Sequence, residues 1–413
     1  MLHFKTIISL LVGAFTCLPI MGAQEEEPEK HDALPLNKVA DVVPAPVERF
    51  EKAFDQAAKF LIDNQLPSGA WGDHTKTKGL NVFCPYPTGP SSFQTSSTAL
   101  CVIGLESSPI SQRPDVKEAL QKAEDFIVAE APKIKRGDTM STLNVWAYSY
   151  TLSAISLRAS KLEKDSPHWN KLKDCATVMV KRLSEFSDAH GGWGYYNFDL
   201  YSKRPAGSPT SFLTATALLS ARQGFDEFGI KLSDKVLARA LKFLASQRTP
   251  AGTYVYSRDH TYHQTIPINR HAGSLARNTA CDLALRVWGN KDIVLSQIED
   301  QLERLWSRSG WLSMALKKPV PHESFAANAG YFFYYGYYYA ARCMAIMPDK
   351  TNKRHAAHLA DDLLPLQEKN GCWWDYPLYN YHKFYGTGYA LYSLSEAWNI
   401  LYGPQSDKVT TDQ

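Results

Sequence analysis

Apolar residues recur at helical spacing in six separated stretches, each backed by charge. The first is Phe50, Phe54, Ala57 and Leu61, and the second Val116, Leu120, Ala123 and Ile127. The third carries Leu172, Ala176, Met179, Leu183 and Phe186; the fourth carries Leu237, Ala240, Leu241 and Leu244. The fifth has Leu295, Ile298, Leu302 and Leu305, and the sixth Leu359, Leu363 and Leu366. A stripe of this spacing with a polar back predicts a helix that buries one face. Between them lie segments 95–105, 142–157, 211–222, 271–288, 330–345 and 386–400, which are small or apolar nearly all round. Such segments predict helices buried on most sides. The run 330–347 is long enough to resemble a membrane span, but Arg342 and its tyrosines predict a buried inner helix instead.

A phrase recurs where the outer helices end. It reads Phe60-Leu61…Gln65…Gly69-Ala70-Trp71, then Phe243-Leu244…Gln247…Gly252-Thr253-Tyr254, then Leu363…Gln367…Gly371-Cys372-Trp373. Weaker copies are Phe186…Gly191-Gly192-Trp193 and Gly310-Trp311. Self-similarity on this scale signals a repeat architecture. Six outer-inner pairs stack either as an open solenoid or as a ring, and a solenoid needs polar caps. Here the last inner segment is still apolar, which predicts closure. The expected fold is all-α, an α/α toroid of about six outer-inner helical hairpins around a central cavity.

Composition narrows the rest. The 413 residues are 44% hydrophobic and carry a net charge of +3, or +2 without residues 1–23, where Lys5 is the sole charge. No dense basic patch suggests nucleic acid. His3 and Lys5 precede the apolar stretch 7–20, which is short for a bilayer and reads as a signal peptide ending after Met21-Gly22-Ala23. Residues 24–46, rich in Glu, Pro and Ala, read as a disordered lead-in, 47–403 as the toroid, and 404–413 as a disordered tail. The mature protein is expected in the periplasm or outside the cell, with no stable membrane span after cleavage. Its six remaining cysteines match no zinc spacing. Cys84 and Cys372 lie in loops that could pair if the first and last repeats touch.

The Gln…Gly-x-Trp phrase resembles the repeat of squalene and oxidosqualene cyclases and of protein prenyltransferase β-subunits, over roughly residues 47–403. The resemblance implies an α/α toroid in which the Gln and aromatic positions tie neighbouring repeats together. The catalytic motifs of that family do not follow. The cyclases' Asp-x-Asp-Asp is absent; Asp361-Asp362 falls on an outer helix and Asp199 stands alone. Tyr381-His382 resembles the prenyltransferase zinc-ligand His segment, but Asn328 and Gly330 stand where Asp and Cys belong. That set cannot hold zinc well. The Cys-Gly-Glu-Gln of thioester toroids is also missing. No metal and no cofactor is therefore expected. The pairs His260/His263 and His355/His358 lack an evident third ligand.

The loops that would rim the cavity are rich in aromatic and ionisable residues. Expected ligand-binding positions are Trp193, Tyr195, Tyr196 and Asp199 in the third, and Tyr254, Tyr256, Asp259 and Arg270 in the fourth. The fifth adds His322 and Tyr331, and the sixth Trp374, Tyr376 and Tyr385. An acid set among aromatics can have a raised pKa and donate a proton. Asp375, between Trp374 and Tyr376, fits that role, with Glu323 second and His271 and His382 in support. Three functions stay open. The first is a metal-free, cyclase-like or isomerase-like enzyme or binder acting on an isoprenoid or other apolar ligand. The second is a toroidal carbohydrate-active enzyme, lyase or hydrolase, using a Tyr/His/Arg rim. The third is a non-catalytic envelope scaffold. The expected partner is a small molecule or glycan, and the oligomeric state is not assigned.

Overall fold

The computed structural model describes residues 38–77, 88–136, 141–195 and 208–403. Their helices are α1 (Val47–Asp63), α2 (Thr88–Ser107), α3 (Pro114–Glu130), α4 (Asn144–Ala159), α5 (Pro167–Glu185), α6 (Ser211–Phe228) and α7 (Asp234–Ser246). The series continues with α8 (His271–Val287), α9 (Leu295–Arg308), the single turn α10 (Gly310–Ser313), α11 (Phe332–Met344), α12 (Asp349–Leu363) and α13 (Tyr381–Tyr402). Local chemistry marks several ends. Pro114 and Pro167 open α3 and α5, where a missing N–H costs nothing, and Ser166 caps α5 by accepting from Trp169 N–H. Gly229, in the left-handed region, stops α6.

The outer helices bury one face only. In α1 that face is Phe50, Ala53, Phe54, Ala57, Ala58, Phe60 and Leu61. The inner helices α2, α4, α6, α8, α11 and α13 each pack on the next, and α13 returns to α2. The ring is closed, as the apolar last helix predicted. At the seam a Cβ on Gly388 would sit 2.5 Å from the Leu100 carbonyl, and one on Gly104 would sit 2.6 Å from the Gly388 carbonyl. Two glycines thus let α2 and α13 touch backbone to backbone.

The recurring phrase is the mortar of this ring. The indole N–H groups of Trp71, Trp193 and Trp373 donate to the carbonyls of Leu61, Leu183 and Leu363, each ten residues back at an outer-helix end. Their backbone N–H groups donate to Thr98, Thr214 and Thr387 on the following inner helix. Gln65 Nε2 bonds the Gly69 and Ala119 carbonyls, and Gln367 Nε2 those of Gly371 and Ala53. Each glutamine therefore ties its own turn to the next outer helix. In the fourth hairpin Gln247 does not do this; Gln301 of α9 reaches back to the Gly252 carbonyl instead. The Gly310-Trp311 copy is no loop at all. It forms α10, because the chain stays helical past α9.

Among the described residues there is no strand, only the isolated bridges Thr210–Ser257 and Arg248–Tyr254. No described helix is long and apolar enough to cross a membrane. The leader 1–23, the lead-in as far as residue 37, and the tail 404–413 lie outside the described residues, as does Cys84 of the suggested Cys84–Cys372 pair.

Candidate active site

The N-terminal halves of five inner helices, α2, α4, α6, α11 and α13, converge on one space inside the ring. A cavity of about 440 Å³ opens there. Its wall comes from the first turns of five of the helices: Phe93, Ser96, Ser97 and Leu100 of α2, Trp146 and Tyr150 of α4, Phe212 of α6, Phe332 and Tyr335 of α11, and Tyr381, Tyr385 and Tyr389 of α13. Loop residues Leu143, Tyr195, Pro321, His322, Tyr331, Tyr376 and Leu378 complete it. Rings pack edge and face around this space. Trp146 stacks on Tyr150 with centroids 5.8 Å apart and planes at 8°, and leans on Phe212 at 5.9 Å.

One ionisable unit stands directly behind the wall. Tyr385 lines the cavity and its hydroxyl donates to Asp375 Oδ1 at 2.8 Å. Asp375 itself is fully buried, and its other oxygen accepts from Tyr334 N–H at 3.3 Å. Burial pushes the Asp375 carboxyl up to about 7, against the opposing pull of the Tyr385 hydroxyl and the Tyr334 and Tyr376 backbone. Burial and the neighbouring Asp375 push the Tyr385 phenol well above its ordinary value. A carboxyl of this kind is partly protonated near neutrality, so the pair can both give and take a proton.

Five of the expected ligand-binding residues line this cavity: Tyr195, His322, Tyr331, Tyr376 and Tyr385. Tyr256 stands behind them, sharing a hydroxyl hydrogen bond with Tyr195 and packing 5.6 Å from the Arg277 guanidinium. Tyr196 and Asp199 lie outside the described residues. The remaining candidates are engaged elsewhere. Trp193 and Tyr254 are completely buried, the first as mortar and the second donating to Asp282 Oδ1 at 2.7 Å. Asp259 and Arg270 are exposed, and Arg270 folds back onto the Thr265 carbonyl. Trp374 donates to Glu368 at 3.0 Å and carries the Lys317 ammonium over its ring at 5.1 Å.

The supporting acids and bases need correction too. Both oxygens of Glu323 accept N–H groups of its own loop, from Phe325, Ala326 and Asn328. The carboxylate is a loop clasp, not a cavity group. His382 bonds the Tyr379 carbonyl and packs edge-on against Trp374 at 5.1 Å. Burial holds it down to about 4. His271 is 8% exposed, and neither ring nitrogen has a hydrogen-bond partner. Burial and then Arg304 lower it to about 4. Neither histidine lines the cavity.

The sequence pattern did not reveal Trp146, Tyr150, Phe212 and Tyr389, and it did not single out Tyr335 from the tyrosine run of its helix. A helix buried on every side carries no polar face to show which residues look into the lumen. The usable signal was position: each lies within the first two or three turns of an inner helix. Among the described residues no three His, Cys, Asp or Glu side chains converge to hold a metal. His355 accepts from the Trp306 indole at 2.9 Å and His358 stacks on the same ring, so that pair is packing.

No family model matches the chain, and no curated protein matches it. Solved structures do. An α-1,6-mannanase from a Salegentibacter species, held in an inactive variant with an α-1,6-mannotetraose, is 12% identical with a TM-score of 0.51, over 84% of this chain and 99% of that one. Cellobiose 2-epimerase from Spirochaeta thermophila is 12% identical with a TM-score of 0.53, over 86% and 97%. A D-mannose isomerase is 11% identical with a TM-score of 0.51, over 87% and 99%. At such identity the likeness establishes the fold, an α/α toroid. It also overturns the resemblance to squalene cyclases and prenyltransferases, and the terpenoid reading that came with it. The Gln…Gly-x-aromatic phrase closes a ring of hairpins; it does not mark the chemistry done inside.

Proposed function

We propose that the chain is a carbohydrate-active enzyme that holds a sugar in the aromatic cavity and moves a proton through Tyr385 and Asp375. The observation that carries this reading is the hydrogen-bonded pair itself, a cavity-lining phenol backed by a buried carboxyl near pKa 7. Aromatic rings give flat apolar faces that suit the C–H face of a pyranose, while phenol and imidazole tips meet its hydroxyls. Mannanase, epimerase and isomerase share this architecture, which supports a sugar as the ligand.

Among these reactions the pair favours proton abstraction and return, as in isomerisation or elimination. When Asp375 is ionised the two act as a relay: as the phenolic oxygen takes a proton from substrate carbon, its own proton passes to Asp375 in the same step, so no free phenolate has to form. Returned protons travel the same path in reverse. Glycoside hydrolysis ordinarily uses two carboxyl groups flanking the bond. Among the described residues lining the cavity there is no Asp or Glu, and Asp375 stands behind it. Export across the inner membrane belongs to the same proposal and rests on the leader 1–23; a mature N-terminus at Gln24, read by mass spectrometry, checks it.

The test is proton exchange. Purified protein is incubated with reducing mono- and disaccharides in deuterated water and followed by NMR. One sugar should take up deuterium at a carbon next to its carbonyl, and Tyr385→Phe should abolish the uptake. No exchange with any sugar, or exchange untouched by that substitution, contradicts the proposal.

A further inference from the structure

Beneath the cavity, buried aromatic side chains of the inner helices pack against one another. On α11 and the residue before it, Tyr331, Tyr335, Tyr338 and Arg342 follow one helix face from the mouth downward. On α13, Tyr385, Tyr389 and Tyr392 do the same. The upper members line the cavity, whereas Tyr338, Arg342 and Tyr392 do not. Tyr338 wedges between Tyr389, at 5.1 Å, and Tyr392, at 4.7 Å. Below it the Arg342 guanidinium stands 5.9 Å from the Tyr338 ring and 5.8 Å from the Tyr339 ring.

Hydroxyls lace this layer across the ring. Tyr150 of α4 shares a hydrogen bond with Tyr389 of α13. Tyr339 of α11 donates to Thr216 of α6 at 2.9 Å, and Tyr335 donates to the Phe212 carbonyl at 2.9 Å. Tyr150, Tyr335, Tyr338, Tyr339 and Tyr389 are each no more than 5% exposed. Four inner helices are thereby joined through the middle of the lumen. Seven residues of helix separate Tyr331 from Tyr338, so the space above the layer is only about 10 Å deep.

We propose that this tyrosine layer is the floor of a blind well, so the site takes the terminal unit of a glycan, or a free mono- or disaccharide, and not an internal stretch. The inference rests on the carbohydrate reading of the same cavity. Tyr385 stands one helical turn above Tyr389, so the reacting unit lies between the relay and the floor. An internal unit would need its chain to leave on both sides, and Tyr389, Tyr150 and Tyr338 close one of them. The 440 Å³ above the floor falls in the lower part of the range of small-ligand pockets, roughly 300–1,000 Å³.

The experiment compares a linear oligosaccharide with a cyclic one of the same linkage, which has no end. Because a cyclic sugar has no free carbonyl to react, binding is the readout: wild-type protein should bind the linear form in calorimetry and fail to bind the cyclic form. Tyr389→Phe, which keeps the ring and removes the shared hydroxyl, should keep end selectivity and weaken binding of the terminal unit roughly 2- to 10-fold. Binding of the cyclic sugar as tightly as the linear one overturns the blind-well assignment while sparing the sugar reading. If no linear sugar is processed or bound, both fall together.

Discussion

Tyr385 donates a 2.8 Å hydrogen bond to Asp375, which ties a phenol that lines the cavity to a carboxyl sealed behind it. Sealing the carboxyl raises its pKa, and the tyrosine gives that proton a way out.

The sealed carboxyl leaves a signature on stability. Asp375 titrates from 3.8 in an ordinary setting and from about 7 in the fold. Because the folded value is the higher one, its contribution is fully present below pH 3.8 and is lost as pH climbs to about 7. Asp282 and Asp362, both pushed by burial to about 6, act in the same direction. Asp375→Asn should flatten the fall in Tm between pH 4 and pH 7, measured by thermal unfolding across that range. An unchanged slope would show that the carboxyl is not held protonated.

Three histidines act in the opposite sense. His271, His355 and His382 are each lowered from 6.5 to about 4, chiefly by burial. Their contribution is present above pH 6.5 and is lost as pH falls through about 4. His271 makes no side-chain hydrogen bond, so His271→Phe removes the acid-sensitive component without breaking one. Its Tm should fall less than that of wild type between pH 6.5 and pH 4.5, with sugar turnover retained at neutral pH. Loss of turnover in a folded variant would return His271 to the catalytic group.

Close approach can be separated from local backbone strain. Gly371 has φ +91°, and a Cβ there would lie 2.2 Å from the Gln56 carbonyl of α1. Gly229, at φ +70°, has nothing within 4 Å of such an atom. Gly371→Ala should cost about 2–4 kcal/mol, strain plus overlap. Gly229→Ala should cost only about 1 kcal/mol, the strain alone. Chemical denaturation of both variants measures the difference, and equal losses would contradict the close approach of the Gly371 turn to α1.

The aromatic wall is tested at Trp146, which is half-buried and stacked on Tyr150. Trp146→Ala should weaken sugar binding by about 0.5–1.5 kcal/mol, the scale of one aromatic contact, while leaving the Tm within a few degrees of wild type. Quenching of the remaining tryptophans or calorimetry reads the affinity. Binding that ignores this substitution would place the sugar elsewhere.

The residues that misled are as instructive as those that did not. The six hairpins were legible because a helix with one wet face writes its period into the chain, as α1 and α9 do with Phe50…Leu61 and Leu295…Leu305. Closure was legible because α13 has no polar side to spare. Asp375 was legible as an acid between two large rings, and the structure adds that Tyr385 carries its contact to the cavity. Trp193 and Tyr254 drew attention as binding residues because mortar and sugar platforms use the same side chains. Tyr150, Phe212 and Tyr389 escaped because inner helices are apolar on every face, and which face meets the lumen is decided only when the ring closes. The family resemblance failed for a related reason. In this chain the phrase ends outer helices and bonds the next hairpin, a packing role that says nothing of what is transformed inside the ring.

The central claim is that Tyr385 and Asp375 move a proton to and from a bound sugar, and its most direct measurement is the pH dependence of kcat/KM for sugar turnover. Wild type should show a limb centred near pH 7, set by Asp375, and Asp375→Asn should lose that limb together with roughly 10²- to 10⁴-fold in rate, the usual scale of acid–base catalysis. A folded Asp375→Asn variant that turns over the sugar at the wild-type rate, with the same pH profile, would contradict the account.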